Sequence, residues 1–160
     1  MTTAITTRLT VLAIDPDRLA AMRDAGTDEH GNPFTGYSAQ GWEPLRCCLR
    51  VARPAEQIAL ISYRPFVTTS PWAETGPVYV HAAACAGYPS DAGLPPELRT
   101  GPRMLRGYHP DGSLAYEHIT QVPDGVDLEA PLRELLSVPE VAEVHVRAVR
   151  TQCLTYGVRG

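Results

Sequence analysis

EVHVRAVRTQCLTYGV, residues 143–158, is the stretch whose reading decides the fold. Val144, Val146 and Ala148 alternate with Glu143, His145 and Arg147. After a turn near Arg150 and Thr151, Leu154, Tyr156 and Val158 alternate with Cys153, Thr155 and Gly157. A period of two on both sides of a short turn predicts a hairpin in an antiparallel sheet, with one apolar and one polar face. On that pattern Glu143 and His145 read as surface residues.

Working outward, Leu128, Leu132, Leu135 and Leu136 fall at i, i+4, i+7 and i+8, the stripe of an amphipathic helix. Asp127 opens that helix, Pro131 sits harmlessly in its first turn and Pro139 closes it. Residues 104–109 and 114–120 flank Pro110-Asp111-Gly112, a hairpin signal. QIALISY, residues 57–63, is apolar on both faces and predicts a central strand, with a second buried strand over residues 77–81. A first strand is expected over residues 8–14, then a helix over residues 16–25 between the N-cap Asp15 and the stop Gly26. Residues 27–44 are polar and Gly-rich, a loop expected to be functional or mobile. Two short helices are too few for a doubly wound α/β fold. The expected fold is therefore α+β: one compact domain over residues 1–160, with a mainly antiparallel sheet of about five to seven strands.

Composition narrows the function classes. The net charge of −4 argues against nucleic acid, which needs a dense basic surface. All 14 basic side chains are Arg, so Lys-based covalent catalysis is excluded while two-pronged anion binding is not. The N-terminal MTTAITTRLTVLAID lacks the apolar run of a signal peptide, and no window is apolar enough to span a membrane. A soluble cytoplasmic protein is expected, with its four cysteines as thiols or ligands rather than disulfides. No dinucleotide, P-loop or nucleophile-elbow motif identifies a cofactor or reaction.

Reactive side chains concentrate in YRPFVTTSPWAETGPVYVHAAAC, residues 63–85. Glu74 sits beside Trp72 in a Pro-flanked turn, where it is a capping carboxylate or an acid–base group. His81 ends the following strand and Cys85 comes four residues later. Two ligands do not make a metal site, and only Cys47, Cys48, Cys153 and His118 are available to complete one. With no CxxC or HxxxH pair as anchor, these residues read as packed thiols and a hydrogen-bonded histidine, with no metal. Cys48 or Cys85 beside His81 is a thiol-nucleophile candidate, Cys48 being flanked by Arg46 and Arg50. Arg64, Arg106 and Arg147 lie in or beside strands, on a solvated face or as anion anchors, and Tyr63, Tyr108 and Tyr116 are available to line the same cleft.

RCCL (46–49), SYRPF (62–66), AETGPVYVH (73–81), Cys85, LRGY (105–108) and VHVR…C (144–153), taken in order, resemble a bacterial family catalogued as domain of unknown function 1203. The resemblance runs from Pro44 onward, and AETGPVYVH is its most specific block. It implies a single domain and a shared site around Tyr63, Pro65, Glu74, His81 and Cys85; it implies no activity. The chain departs from the family pattern at Leu45, where a Cys is expected, and at Ala148, where an Asn is expected. If that cysteine is a metal or disulfide partner, this chain has lost it or substitutes Cys47 for it, which counts against a metal site.

Three readings follow. The leading one is a small-molecule enzyme or ligand-binding domain with a cleft on residues 63–85, Glu74 and His81 moving protons. Tyr63, Arg64, Trp72, Arg106, Tyr108 and Arg147 would bind a small anionic ligand there. The second is a metal or redox module built from His81, Cys85, Cys48 and Cys153. The third is an interaction domain without chemistry. Expected partners are a small molecule and at most a second copy of the chain, with neither membrane nor nucleic acid.

Overall fold

A computed structural model describes residues 7–160. The N-terminal reading over residues 1–6 lies outside the described residues. The described chain is α+β, with two α-helices and ten strands in two five-stranded, mostly antiparallel sheets. One sheet runs β1 (Thr10–Leu12), β10 (Leu154–Arg159), β9 (Glu143–Arg147), β7 (Arg103–Tyr108), β8 (Leu114–Val122). The other runs β2 (Tyr37–Ser38), β5 (Gln57–Tyr63), β6 (Gly76–His81), β3 (Pro44–Leu45), β4 (Arg50–Val51). The expectation of one sheet missed the second because β2, β3 and β4 are two residues each, too short for any alternation to show.

Local sequence accounts for the longer elements. Helix α1 (Pro16–Ala25) starts where the Asp15 carboxylate accepts the Asp17 N–H at 2.9 Å, and stops at Gly26 in the left-handed conformation, φ 72°. Helix α2 (Glu129–Leu136) is opened by Asp127, whose carboxylate accepts the Glu129 N–H at 2.9 Å. Strand β5 runs over the seven residues that the apolar pattern marks. The polar segment 27–44 is pinned rather than loose. The buried Asp28 carboxylate accepts from the backbone of His30, Asn32 and Ser62, tying the loop to β5. Buried Glu43 accepts from Gln40, Gly41 and Trp42 in the same way.

Two hydrophobic clusters form, one centred on each sheet, with Leu49 and Val51 of the β3–β4 region joining the first and Leu154 of β10 the second. Leu128 and Leu132 of the α2 region pack with Val144, Val146 and Leu105, which share one face of the β9 sheet. Leu19 and Met22 of α1 pack with Ile58, Val78 and Val80 of the second sheet. The opposite face of the β9 sheet carries Glu143, His145 and Arg147, in register with Tyr108, Arg106 and Met104 of β7. This is the polar face that alternation predicts, yet it does not face solvent: all five residues of β9 are buried. The second sheet and the segment after Tyr63 cover it. No helix among the described residues is long and apolar enough to cross a membrane.

Candidate functional site: a charged inter-sheet cleft and a thiol cluster

Two adjoining clefts open between the sheets. The larger, about 900 Å³, has Phe66, Arg18, Arg46, Glu143 and His145 in its walls. The smaller, about 400 Å³, is bounded by Glu74, Arg106, Arg147, Gln152 and Cys153. Tyr63, Pro65 and Leu154 belong to both.

In the smaller cleft two guanidinium groups converge on one carboxylate oxygen. Arg106 Nη1 lies 3.0 Å and Arg147 Nη1 3.1 Å from Glu74 Oε2. The Arg147 side chain is only 7% exposed, while that of Glu74 is 54% exposed. Arg147 Nε is buried without a hydrogen-bond partner among the described residues. Gln152 completes the wall: its side-chain oxygen accepts from Arg106 at 3.2 Å and its carbonyl from Arg147 at 2.8 Å. It does so from a left-handed backbone, φ 59°, which a non-glycine residue adopts only at a cost. The guanidinium groups reach the cleft because residues 106 and 147 stand on the polar face of adjacent strands.

In the larger cleft His145 donates from Nε2 to Glu143 Oε1 at 2.8 Å when neutral, and Glu143 Oε2 accepts from Arg159 at 2.9 Å. Phe66 stacks on the imidazole at 4.9 Å and Tyr108 lies at 4.5 Å. Burial holds the His145 pKa below the ordinary histidine value, and the neighbouring Arg147 and Arg106 add to that, against the opposing pull of Glu143. Burial pushes the Glu143 carboxyl up, but its bond to His145 and the Arg159 charge outweigh it and keep the acid ionised.

The second constellation lies at the far end of β6. Cys47, Cys48, His81 and Cys85 hold their ligand atoms within 4.8 Å of one another. Strand β3 pairs parallel to β6 with Leu45 opposite Tyr79, which sets Cys47 level with His81 two residues on. The His81 N–H donates to Cys47 Sγ at 3.2 Å. His81 Nδ1 lies 3.5 Å from Cys47 Sγ and 3.6 Å from Cys48 Sγ. All four cysteines are free, Cys47 and Cys48 being 4.0 Å apart at sulfur. Donating to Cys48, and then burial, raise the Cys47 pKa; accepting from Cys47 lowers that of Cys48; burial raises that of Cys85. Burial lowers the His81 pKa.

The candidates thus part company. Glu74, Tyr63, Arg106 and Arg147 come together. Glu74 and His81 do not: the length of β6, about 17 Å at the usual strand rise, separates them. The expectation that Glu74 and His81 move protons in one cleft is corrected, because the Pro-bounded turn carrying Glu74 feeds the start of β6 and His81 ends it. Trp72 instead donates to Tyr116 at 3.1 Å on the rim, Arg64 lines neither cleft, and Tyr108 lies behind His145. Glu143 and His145, read as surface residues, are buried cleft groups; alternation reports a face and not what covers it. Cys48 and Cys85 do stand beside His81, with Cys47. Cys153 is in the smaller cleft and His118 contacts Glu140. The metal reading was set aside for want of a ligand pair, and the β3–β6 pairing supplies that pair.

The fold and clefts define a two-sheet α+β domain with an arginine-rich interior cleft. The chain belongs to the family described as protein of unknown function (DUF1203), whose model matches residues 42–159. No curated protein and no solved structure matches the chain.

Proposed function

We propose that this domain binds a small anion in the inter-sheet cleft, with Arg106 and Arg147 as the clamp and Glu74 as an internal stand-in for the ligand. The observation that carries this is the sharing of one carboxylate oxygen by two guanidinium groups, at 3.0 and 3.1 Å. Two cations against one anion leave the cleft with an excess positive charge. Structural ion pairing needs only one arginine per carboxylate; two forks aimed at one oxygen match a carboxylate or phosphate with several acceptors. Glu74 is the exposed member of the trio and is free to swing away. An anion that takes its place releases a carboxylate beside the ligand, positioned to accept a proton. The adjoining larger cleft, walled by Phe66 and Tyr63, has room for the body of the ligand.

Calorimetric titration with phosphate and with mono- and dicarboxylates, against chloride at equal ionic strength, tests the reading. Binding is expected to weaken as salt rises. Arg106→Gln should weaken it about 10- to 100-fold, the worth of a charge-assisted hydrogen bond. Glu74→Gln should tighten it, because the internal competitor loses its charge. Absence of binding by every anion, or tight binding retained in Arg106→Gln, overturns the proposal.

A further inference from the structure

We infer that Cys47, Cys48, His81 and Cys85 form a structural binding site for one soft divalent cation of the zinc type, held by three thiolates and His81 Nδ1. The argument is geometric. For bonds of about 2.3 Å to sulfur and 2.0 Å to nitrogen, a tetrahedral centre spaces its ligands about 3.8 Å sulfur to sulfur and 3.5 Å sulfur to nitrogen. The corresponding distances are 4.0 Å between Cys47 and Cys48, and 3.5 and 3.6 Å from these to His81 Nδ1. The remaining pairs, to Cys85, fall within 4.8 Å. Three of the four donor atoms therefore already have tetrahedral spacing, and Cys85 Sγ stands close enough to supply the fourth corner.

Core packing explains this poorly. A structural cysteine in a core is surrounded by aliphatic carbon, whereas here three sulfurs and an imidazole nitrogen face one another. The chain also presents them in a way that favours ligation. Cys47 and Cys48 lie in the tight turn between β3 and β4, with Leu49 in the left-handed region at φ 55°. A turn lets adjacent side chains converge, which an extended strand forbids. The backbone N–H of His81 points at the Cys47 sulfur at 3.2 Å, a bond that stabilises thiolate.

The surroundings orient the histidine as a ligand. With Nδ1 on a cation the ring proton moves to Nε2, where Arg50 Nη2 lies 3.2 Å away and Glu56 Oε1 3.7 Å, so metal binding requires the Nε2–H to turn from Arg50 toward Glu56. Arg50 and the Arg53 N–H hold Glu56 in place by donating to its two carboxylate oxygens. Three soft thiolates and an imidazole select a zinc-like cation over magnesium or calcium. Four protein ligands leave no open position, so the site is structural: it clamps the β3–β4 turn, the end of β6 and the segment at Cys85 together. This is a site distinct from the anion cleft, at the opposite end of β6.

Protein purified without chelator should carry about one zinc per chain by elemental analysis. Cobalt exchanged for zinc should show thiolate-to-metal charge transfer and the strong visible bands of a tetrahedral centre. Alkylation with mass mapping should label Cys153 whether or not zinc is present, and Cys47, Cys48 and Cys85 only after chelation. Cys85→Ser should lose the metal, and Cys153→Ser should keep it. The mapping uses the unaltered chain, so it decides even where Cys85→Ser does not fold. The inference is overturned if zinc and cobalt fail to bind, or if zinc leaves the labelling of Cys47, Cys48 and Cys85 unchanged.

Discussion

His145 shows what burial does to a single residue. Its Nε2 is committed to Glu143 at 2.8 Å and its ring is clustered with Phe66 and Tyr108 in a triangle of rings, so a second proton has no solvent to stabilise it. Burial lowers the folded pKa below the unfolded value of about 6.5. Between those two values the unfolded chain binds a proton that the folded chain does not. Stability should therefore fall as pH drops below about 6.5, by at most about 1.4 kcal/mol per pH unit for this one group. His81 is lowered by burial too and contributes in the same direction. The informative quantity is then the difference between the parent and His145→Gln. Urea midpoints from pH 7.5 to 5 should decline less steeply in the variant. Parallel curves would mean that His145 titrates equally in both states. Glu143 acts at lower pH: its folded pKa is depressed, so its stabilisation is lost only as pH falls below the ordinary carboxylate range.

At the scale of elements, close approach decides which glycines matter. A Cβ on Gly101 would lie 2.0 Å from the Pro123 carbonyl oxygen and 2.7 Å from that of Val122. Gly101 also donates to the Val126 carbonyl at 2.9 Å, so the backbone cannot back away without breaking that bond. Gly101→Ala should cost about 1–3 kcal/mol, the range for overpacking a site that cannot yield. Gly76 at the start of β6 is the control, with nothing within 4 Å of the added carbon. Gly76→Ala should change the denaturation midpoint little, and equal losses in both variants would remove close packing as the cause. Sequence and structure part at this same scale. The bounds of α1 and β5 were legible because caps and apolar runs are local signals. The alternation of β9 was legible as well, but its burial was not, since the cover comes from residues 63–74 and the second sheet. The thiol cluster was half legible: His81 and Cys85 are four apart, while Cys47 and Cys48 join them only through a parallel pairing of a two-residue strand. Arg106, Arg147 and Glu74 were each visible as candidates. Their convergence on one another, rather than on His81, depends on strand order, which no local pattern encodes.

For the whole molecule the question is how the two sheets behave as one unit. They touch where β6 meets β10, beside the charged cleft, and where Leu49 and Val51 of the β3–β4 region pack into the β9-sheet cluster. Arg46 bridges them. It is 4% exposed, donates its backbone N–H to the Tyr79 carbonyl of β6 at 2.8 Å, and sends its guanidinium to the Leu154 carbonyl of β10 at 2.6 Å and to that of Pro44 at 2.5 Å. Burial pushes its pKa down to about 10, still charged at neutral pH. Arg46→Met keeps the stem but leaves the Leu154 and Pro44 carbonyls without their donor, an expected loss of about 2–4 kcal/mol. The loss should also appear as lost cooperativity. The two tryptophans report from different places: Trp42 packs edge-on against Tyr79 at 5.7 Å, and Trp72 is bonded to Tyr116 of β8. Single-tryptophan variants, Trp72→Phe and Trp42→Phe, allow each to be followed through urea unfolding. With Arg46 present the two transitions should coincide, as for a two-state domain. With Arg46→Met they should separate, because the remaining ties across the cleft are partly exposed ion pairs, which stabilise weakly. Coincident transitions in the Arg46→Met background would show that Arg46 is not what couples the sheets, leaving that role to the β6–β10 contact and the packing of Leu49 and Val51.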